Sequence, residues 1–214
     1  MGEHSGERLA VMETKRRWLR RALILSLVLL AACVVLFFAT PKLLIAPANP
    51  AKSDVILHSA IGAHSKADEY VAALYHQGMA RKIVCLSSQV SWETYPGDYV
   101  REHLISLGVP AEDVFSLRLP IAPCGAMNLP TVVDFVKDRG WKSALLITHP
   151  ENSRYAASVI HKYFGREGVT TTVSYASDDR DALTDGWWRT HWKTQRFVGQ
   201  AMSVTFDLFY SECW

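Results

Sequence analysis

The sequence predicts an α/β fold: one N-terminal transmembrane helix, then a doubly wound sandwich around a mainly parallel five-stranded sheet. Three observations carry that expectation. Residues 22–40 contain no charged side chain and follow a cluster of basic ones. Beyond Asp54, short apolar runs alternate with segments whose apolar residues recur at helical spacing. Most of those helical segments stop at a glycine, as helices do where the chain must turn.

The uncharged run comes first. At 1.5 Å per residue it spans roughly 28 Å as a helix, close to the hydrocarbon thickness of a bilayer. Lys15, Arg16, Arg17, Arg20 and Arg21 precede it, whereas only Lys42 and Lys52 follow closely. The positive-inside rule then leaves residues 1–21 in the cytoplasm and everything after the span outside the inner (plasma) membrane. A cleaved signal peptide would want small residues where Phe37 and Phe38 stand. Leu30-Ala31-Ala32-Cys33 resembles a lipobox, but the apolar run continues for five residues past Cys33, which favours an unbroken helix. Residues 41–53, with Pro41, Pro47 and Pro50, read as an extended tether.

The outer domain, 54–214, follows as strand and helix in turn. Residues 54–58 read as a strand and 66–76 as a helix ended by Gly78. Residues 82–86 and 98–107 repeat the pattern, with a stop at Gly108-Val109-Pro110. Residues 114–119 and 131–139 repeat it again before Gly140. The fourth round pairs 143–148 with 153–164, closed by Gly165 and Gly168. Residues 170–175 supply a β-branched fifth strand, and 188–209 a long final helix. Short apolar strands separated by helices of about ten residues make a parallel sheet covered on both faces, a Rossmann-like sandwich. Ligands of such sheets bind beyond the carboxyl ends of the strands, where strand order reverses.

Composition narrows the function classes. The net charge of +2 arises in a chain whose basic cluster sits at the membrane, so nothing suggests a nucleic-acid partner. Cys33 lies in the anchor and Cys85 in an apolar strand, leaving Cys124 with Cys213 as a candidate disulfide outside the membrane. No cysteine spacing resembles a zinc site, and the sequence names no cofactor. Asp178-Asp179-Arg180-Asp181 reads as a solvated loop rather than a cation site.

The strand ends hold the candidate binding residues: His58, Ser59, Ser87, Ser88, His149, Asn152 and Arg154. Hydroxyls, an amide, imidazoles and a guanidinium at one rim suit a small anionic or sugar-phosphate ligand. The competing reading is that polar residues gather at strand-to-helix junctions because they cap helices. Phosphate-loop, dinucleotide, nucleophile-elbow and zinc-protease motifs are absent. A serine nucleophile with His58 or His149 as base stays open. The C-terminal stretch carries Trp187, Trp188, Trp192, Phe197, Phe206, Phe209, Tyr210 and Trp214. Val198, Met202 and Phe206 or Phe209 recur at helical spacing, which predicts that this face packs on the sheet. The Trp187-Trp188 pair suits either packing or a membrane interface.

Several segments together resemble the bacterial YdcF/SanA/ElyC-type domain of unknown function. They are Asp54-Val-Ile-Leu after an anchor, Ala73-Leu-Tyr-His-Gln-Gly-Met-Ala80 leading into Lys82-Ile-Val-Cys-Leu86, Leu107-Gly-Val-Pro110, Leu145-Leu-Ile-Thr148 with residues 152–156, and a Trp-rich last helix. The resemblance implies a Rossmann-like fold on a single-pass anchor and a role in envelope maintenance, peptidoglycan synthesis or the handling of its lipid carrier. It also assigns Asp98 as the acidic residue in the helix after the second strand. The chain departs from that pattern where His58-Ser-Ala-Ile-Gly62 replaces a glycine-rich turn, where Ser88-Gln89 replaces a glycine pair, and where Asn152 and Tyr155 replace a His and an Arg. The expected function is a membrane-anchored envelope protein that binds a phosphorylated or glycosylated precursor. A hydrolase or transferase acting on such a precursor, and a non-catalytic interaction module, are the alternatives.

Overall fold

The computed structural model describes residues 3–59, 65–120 and 128–209, without side chains at 3–15, 65 and 206–209. Its contacts divide the chain into two units, Met1–Thr40 and Pro41–Trp214. The first is most of helix α1 (Glu3–Leu44), whose stretch Arg16–Leu44 is long and apolar enough to cross a membrane. Leu23, Leu25, Leu29 and Val35 all stand exposed on it.

The second unit is an α/β sandwich. Its sheet contains β1 (Val55–Ser59), β2 (Lys82–Ser88), β3 (Val114–Leu119), β4 (Ser143–Ile147) and β5 (Thr170–Ser174). The strands are parallel throughout, in the order β3-β2-β1-β4-β5. Between them run α2 (Ser65–His76), α3 (Pro96–Ser106), α4 (Leu129–Asp138) and α5 (Ser153–Arg166), followed by α6 (Ser177–Thr184) and α7 (His191–Phe209). Because strand side chains alternate between faces, Ile56, Ile83, Cys85, Leu145 and Ile147 meet α2 and α3 through Val71, Leu74, Val100 and Leu104. Val55, Leu57, Val84, Leu86 and Leu146 meet α4 and α5 through Val132, Val136, Ile160 and Phe164. A sheet buried on both faces accounts for strands that read as unbroken apolar runs. Gly108 and Gly140 end α3 and α4 with φ of +89° and +70°, a backbone conformation that costs side-chain-bearing residues energy.

Three expectations need correction. The tether is not extended from residue 41: the helix carries Pro41 and runs to Leu44, with Ile45 N–H closing its last turn on the Pro41 carbonyl at 2.9 Å. Leu44 gains burial against Leu183, Trp187 and Phe197, and that packing overrides the local preference of proline. Residues that follow Leu44 dock on the domain. Ala46 N–H donates to Ser153 Oγ at 2.9 Å, and Tyr175 Oη–H to the Ala46 carbonyl at 2.7 Å. The charged run 178–181 lies in α6, where Asp178 and Asp179 favour the positive end of the helix dipole and Leu183 is buried. Finally, the buried stripe of α7 is Phe197, Ala201 and Val204, while Val198 and Met202 are exposed. A one-residue shift rotates a helix by about 100°, and the ring of Phe197 against Trp187, with centroids 5.1 Å apart, fixes which face turns inward.

Candidate functional site

Strand order reverses between β1 and β4, so the crevice that such a sheet offers a ligand opens at their carboxyl ends. His58 lies in register with Cys85 of β2 and Ile147 of β4. The register therefore brings Ser59, Ser87, Ser88, Thr148 and His149 to one edge. His58, Ser59, Ser87 and Thr148 are buried there, while Ser88, His149 and Asn152 are half-buried.

At the centre of that edge two imidazoles share one carboxylate. His58 Nε2–H donates to Asp68 Oδ1 and His103 Nδ1–H to Asp68 Oδ2, both at 2.8 Å. Asp68 comes from the first turn of α2 and His103 from the last turn of α3. His58 and Asp68 are only 3% and 5% exposed. Burial alone would raise the Asp68 pKa, but the hydrogen bonds from His58 and His103, with their charge, outweigh it and hold the carboxyl below its usual range. Asp68 is thus an anion that fixes the His58 ring through Nε2. His58 Nδ1 is buried and has no hydrogen-bond partner among the described residues. In the neutral ring that nitrogen carries the lone pair, so it can accept a hydrogen bond or a proton from a bound molecule. Cys85 below it is no nucleophile: desolvation, then the Asp68 charge, push its thiol up to about 12.

The remaining expected residues are placed as follows. Ser87 Oγ is buried without a partner among the described residues and packs under the first turn of α3, where a Cβ on Gly97 would come within 2.6 Å of it. Asp98 turns to β3, accepting from Ser116 Oγ at 2.5 Å and from Arg118 Nη2 at 2.9 Å. Arg154 donates through Nη2 to the carbonyls of Lys42 at 3.2 Å and Ile45 at 2.9 Å, holding the segment that follows the anchor. Asn152 is positioned by α7, since Gln200 Nε2–H donates to its Oδ1 at 3.0 Å. The same helix supplies Arg196, whose Nε donates to buried Glu151 Oε1 at 2.6 Å and whose Nη2 also pairs with it. Cys124 and Cys213 lie outside the described residues. Among the described residues no group of three or more His, Cys, Asp or Glu side chains is arranged to hold a metal ion.

Sequence reasoning missed Asp68, His103, Glu151, Arg196 and Gln200. Asp68 had a legible signal: it lies three and four residues before Val71 and Ala72 on the buried stripe of α2, where a carboxylate needs partners. The other four sit at helix positions that look like ordinary surface. The turn after β2 adds a further residue. Trp92 is 90% exposed at a left-handed φ of +45°, in a turn closed by Thr94 N–H on the Ser91 carbonyl at 2.7 Å. Strain of this kind costs about 1–3 kcal/mol and gathers at ligand-contacting positions.

The fold and this edge define a Rossmann-like α/β domain following a helix long enough to cross a membrane. No protein-family model, curated protein or solved structure matches the chain.

Proposed function

We propose that the chain is a single-pass envelope protein, its N-terminus cytoplasmic and its α/β domain outside the inner membrane. In this reading it binds a phosphorylated or glycosylated envelope precursor at the ends of β1 and β4 and serves peptidoglycan or envelope maintenance. The observation that carries the binding site is the His58–Asp68 pair at the switch point, with Nδ1 of His58 left without a partner among the described residues. Ser59, Ser88, His149 and Asn152 complete the contacts.

Glycosylated chemistry is favoured over a bare anion. Arg154 is committed to two backbone carbonyls, whereas the hydroxyls of Ser59 and Ser88 stand at the same edge to meet sugar hydroxyls. The exposed ring of Trp92 supplies a flat apolar face for a sugar ring. The envelope assignment draws on the likeness to the YdcF/SanA/ElyC-type pattern together with the apolar helix.

One observation favours turnover as a second reading. A histidine oriented by a buried carboxylate, with its other nitrogen bare, is the arrangement of a general base, and a hydrolase or transferase acting on the same precursor would use it.

Native mass spectrometry of the full chain, released from envelope-derived nanodiscs, tests the proposal. The expected result is a copurifying sugar-bearing molecule that is lost from His58→Gln and reduced in Trp92→Ala, with thermal unfolding unchanged in the second. A wild-type chain carrying nothing, or an adduct retained in full by His58→Gln, would overturn it.

A further inference from the structure

Helix α7 and the turn before it present a surface that the binding site does not use. Trp187 is buried, but Trp188 and Trp192 are 45% and 48% exposed, and Met202 is 66% exposed farther along the helix. Arg189 lies over the ring of Trp188 at 5.8 Å and Lys193 over that of Trp192 at 5.7 Å. From Gly186 to Phe206 the sequence holds Arg189, Lys193 and Arg196 and no acidic residue. Arg196 is taken by Glu151, which leaves Arg189 and Lys193 as the cations of this surface; Lys193 spends one of its three donors on the Asp185 carbonyl at 2.7 Å. Tryptophan beside a cation, with apolar side chains exposed nearby, matches the chemistry of a lipid headgroup layer.

The chain itself says which occupant this face meets. Leu44, the last residue of the apolar helix, is buried against Leu183, Trp187 and Phe197, so the end of the anchor is built into the same cluster that carries Trp188 and α7. Leu44 stands four residues after Thr40, so the chain itself keeps this cluster within a few residues of the apolar helix. We infer that Trp188, Arg189, Trp192 and Lys193 form a contact with an anionic lipid surface that holds the domain against the membrane. This rests on the reading of α1 as a membrane anchor. Basic residues near an anionic leaflet are attracted to it through screened charge, so the contact weakens with salt.

The test uses the full chain labelled with 5-fluorotryptophan, one copy per nanodisc of phosphatidylcholine and phosphatidylglycerol, with and without a gadolinium chelate on a lipid headgroup. Trp188→Phe and Trp192→Phe assign the resonances. Trp18, beside the basic cluster, reports anchor insertion, and Trp141, packed among Phe115 and Phe135, serves as the distant control. The inference predicts that the Trp188 and Trp192 lines broaden several-fold on doping while Trp141 does not. It also predicts that Arg189→Gln with Lys193→Gln, or discs of phosphatidylcholine alone, reverse most of that broadening. Broadened Trp18 with sharp Trp188 and Trp192 would overturn the contact and leave the anchor. Sharp Trp18 with broadened Trp188 and Trp192 would overturn the anchor and leave the contact. If all three stayed sharp, both would fall.

Discussion

Gly97 is the position at which the packing around the site is most sharply testable. A Cβ at this residue would meet Ser87 Oγ at 2.6 Å, and both the Cys85 carbonyl and Ser87 Cβ at 3.2 Å. Ser87 Oγ is buried, so neither the hydroxyl nor the strand backbone yields freely, and Gly97→Ala must push the first turn of α3 off β2. Overpacking of this kind costs about 1–3 kcal/mol. Alanine returns about 0.4–1 kcal/mol by narrowing the unfolded ensemble. The net expectation is a loss of roughly 1–2 kcal/mol, or about 2–8 °C in Tm for a domain of this size. Thermal unfolding of the full chain in detergent, followed by circular dichroism, reads that shift. Ser87→Ala removes the closest atom and leaves the two contacts at 3.2 Å, so Gly97→Ala should cost about 1 kcal/mol less on that background. A Gly97→Ala chain as stable as wild type, or a cost that Ser87→Ala does not change, would refute the account of Ser87 as a hydroxyl packed beneath α3.

Three further expectations concern charge. Arg196→Ala leaves the buried Glu151 carboxylate without its cation and should cost about 3 kcal/mol, whereas Glu151→Gln with Arg196→Met should cost much less; denaturant unfolding compares the two. Asp68 titrates below its ordinary 3.8 in the folded chain, so the stability it contributes is present above pH 4 and is lost as pH falls through its lower folded value. The gap in Tm between wild type and Asp68→Asn should accordingly be wide at pH 7 and close in strongly acid solution; a gap that widens on acidification contradicts that sign. Arg154→Ala removes two exposed hydrogen bonds to the Lys42 and Ile45 carbonyls and should cost about 1 kcal/mol while leaving ligand binding intact. Proteolysis within residues 45–53 would rise, and an unchanged cleavage rate would sink this view of Arg154.

The sheet was readable because each strand is a short apolar run and each intervening helix keeps its period. Residues 114–119 come out with the same bounds as β3, and the other strands shift by one or two residues at an end. What the sequence hid depends on contacts between distant segments. Pro41 argues locally against a helix, and only the burial of Leu44 by Leu183 and Trp187 reverses that. Val198 and Met202 have the right spacing for a buried stripe, yet so do Phe197, Ala201 and Val204, and periodicity alone cannot choose between two faces 100° apart. In the site, His58 was visible at a strand end, but Asp68 stands 10 positions beyond it and His103 another 35 beyond Asp68, and only the stacking of α2 on α3 unites them. Arg154 looked like an anion grip from its place after β4, and its actual partners are backbone carbonyls that no pattern of residue types encodes.

The central claim is that Asp68 presents Nδ1 of His58 to a bound precursor. Imidazole 15N NMR of the histidine-labelled full chain, with and without a lipid-linked sugar fraction from bacterial envelopes, tests it most directly. The account predicts that neutral His58 is protonated at Nε2 and bare at Nδ1, that Asp68→Asn weakens this preference, and that the sugar fraction shifts Nδ1 of His58 while His76, His161 and His191 stay still. Protonation at Nδ1 instead, or His58 nitrogens that do not move on saturation with a bound ligand, would contradict it.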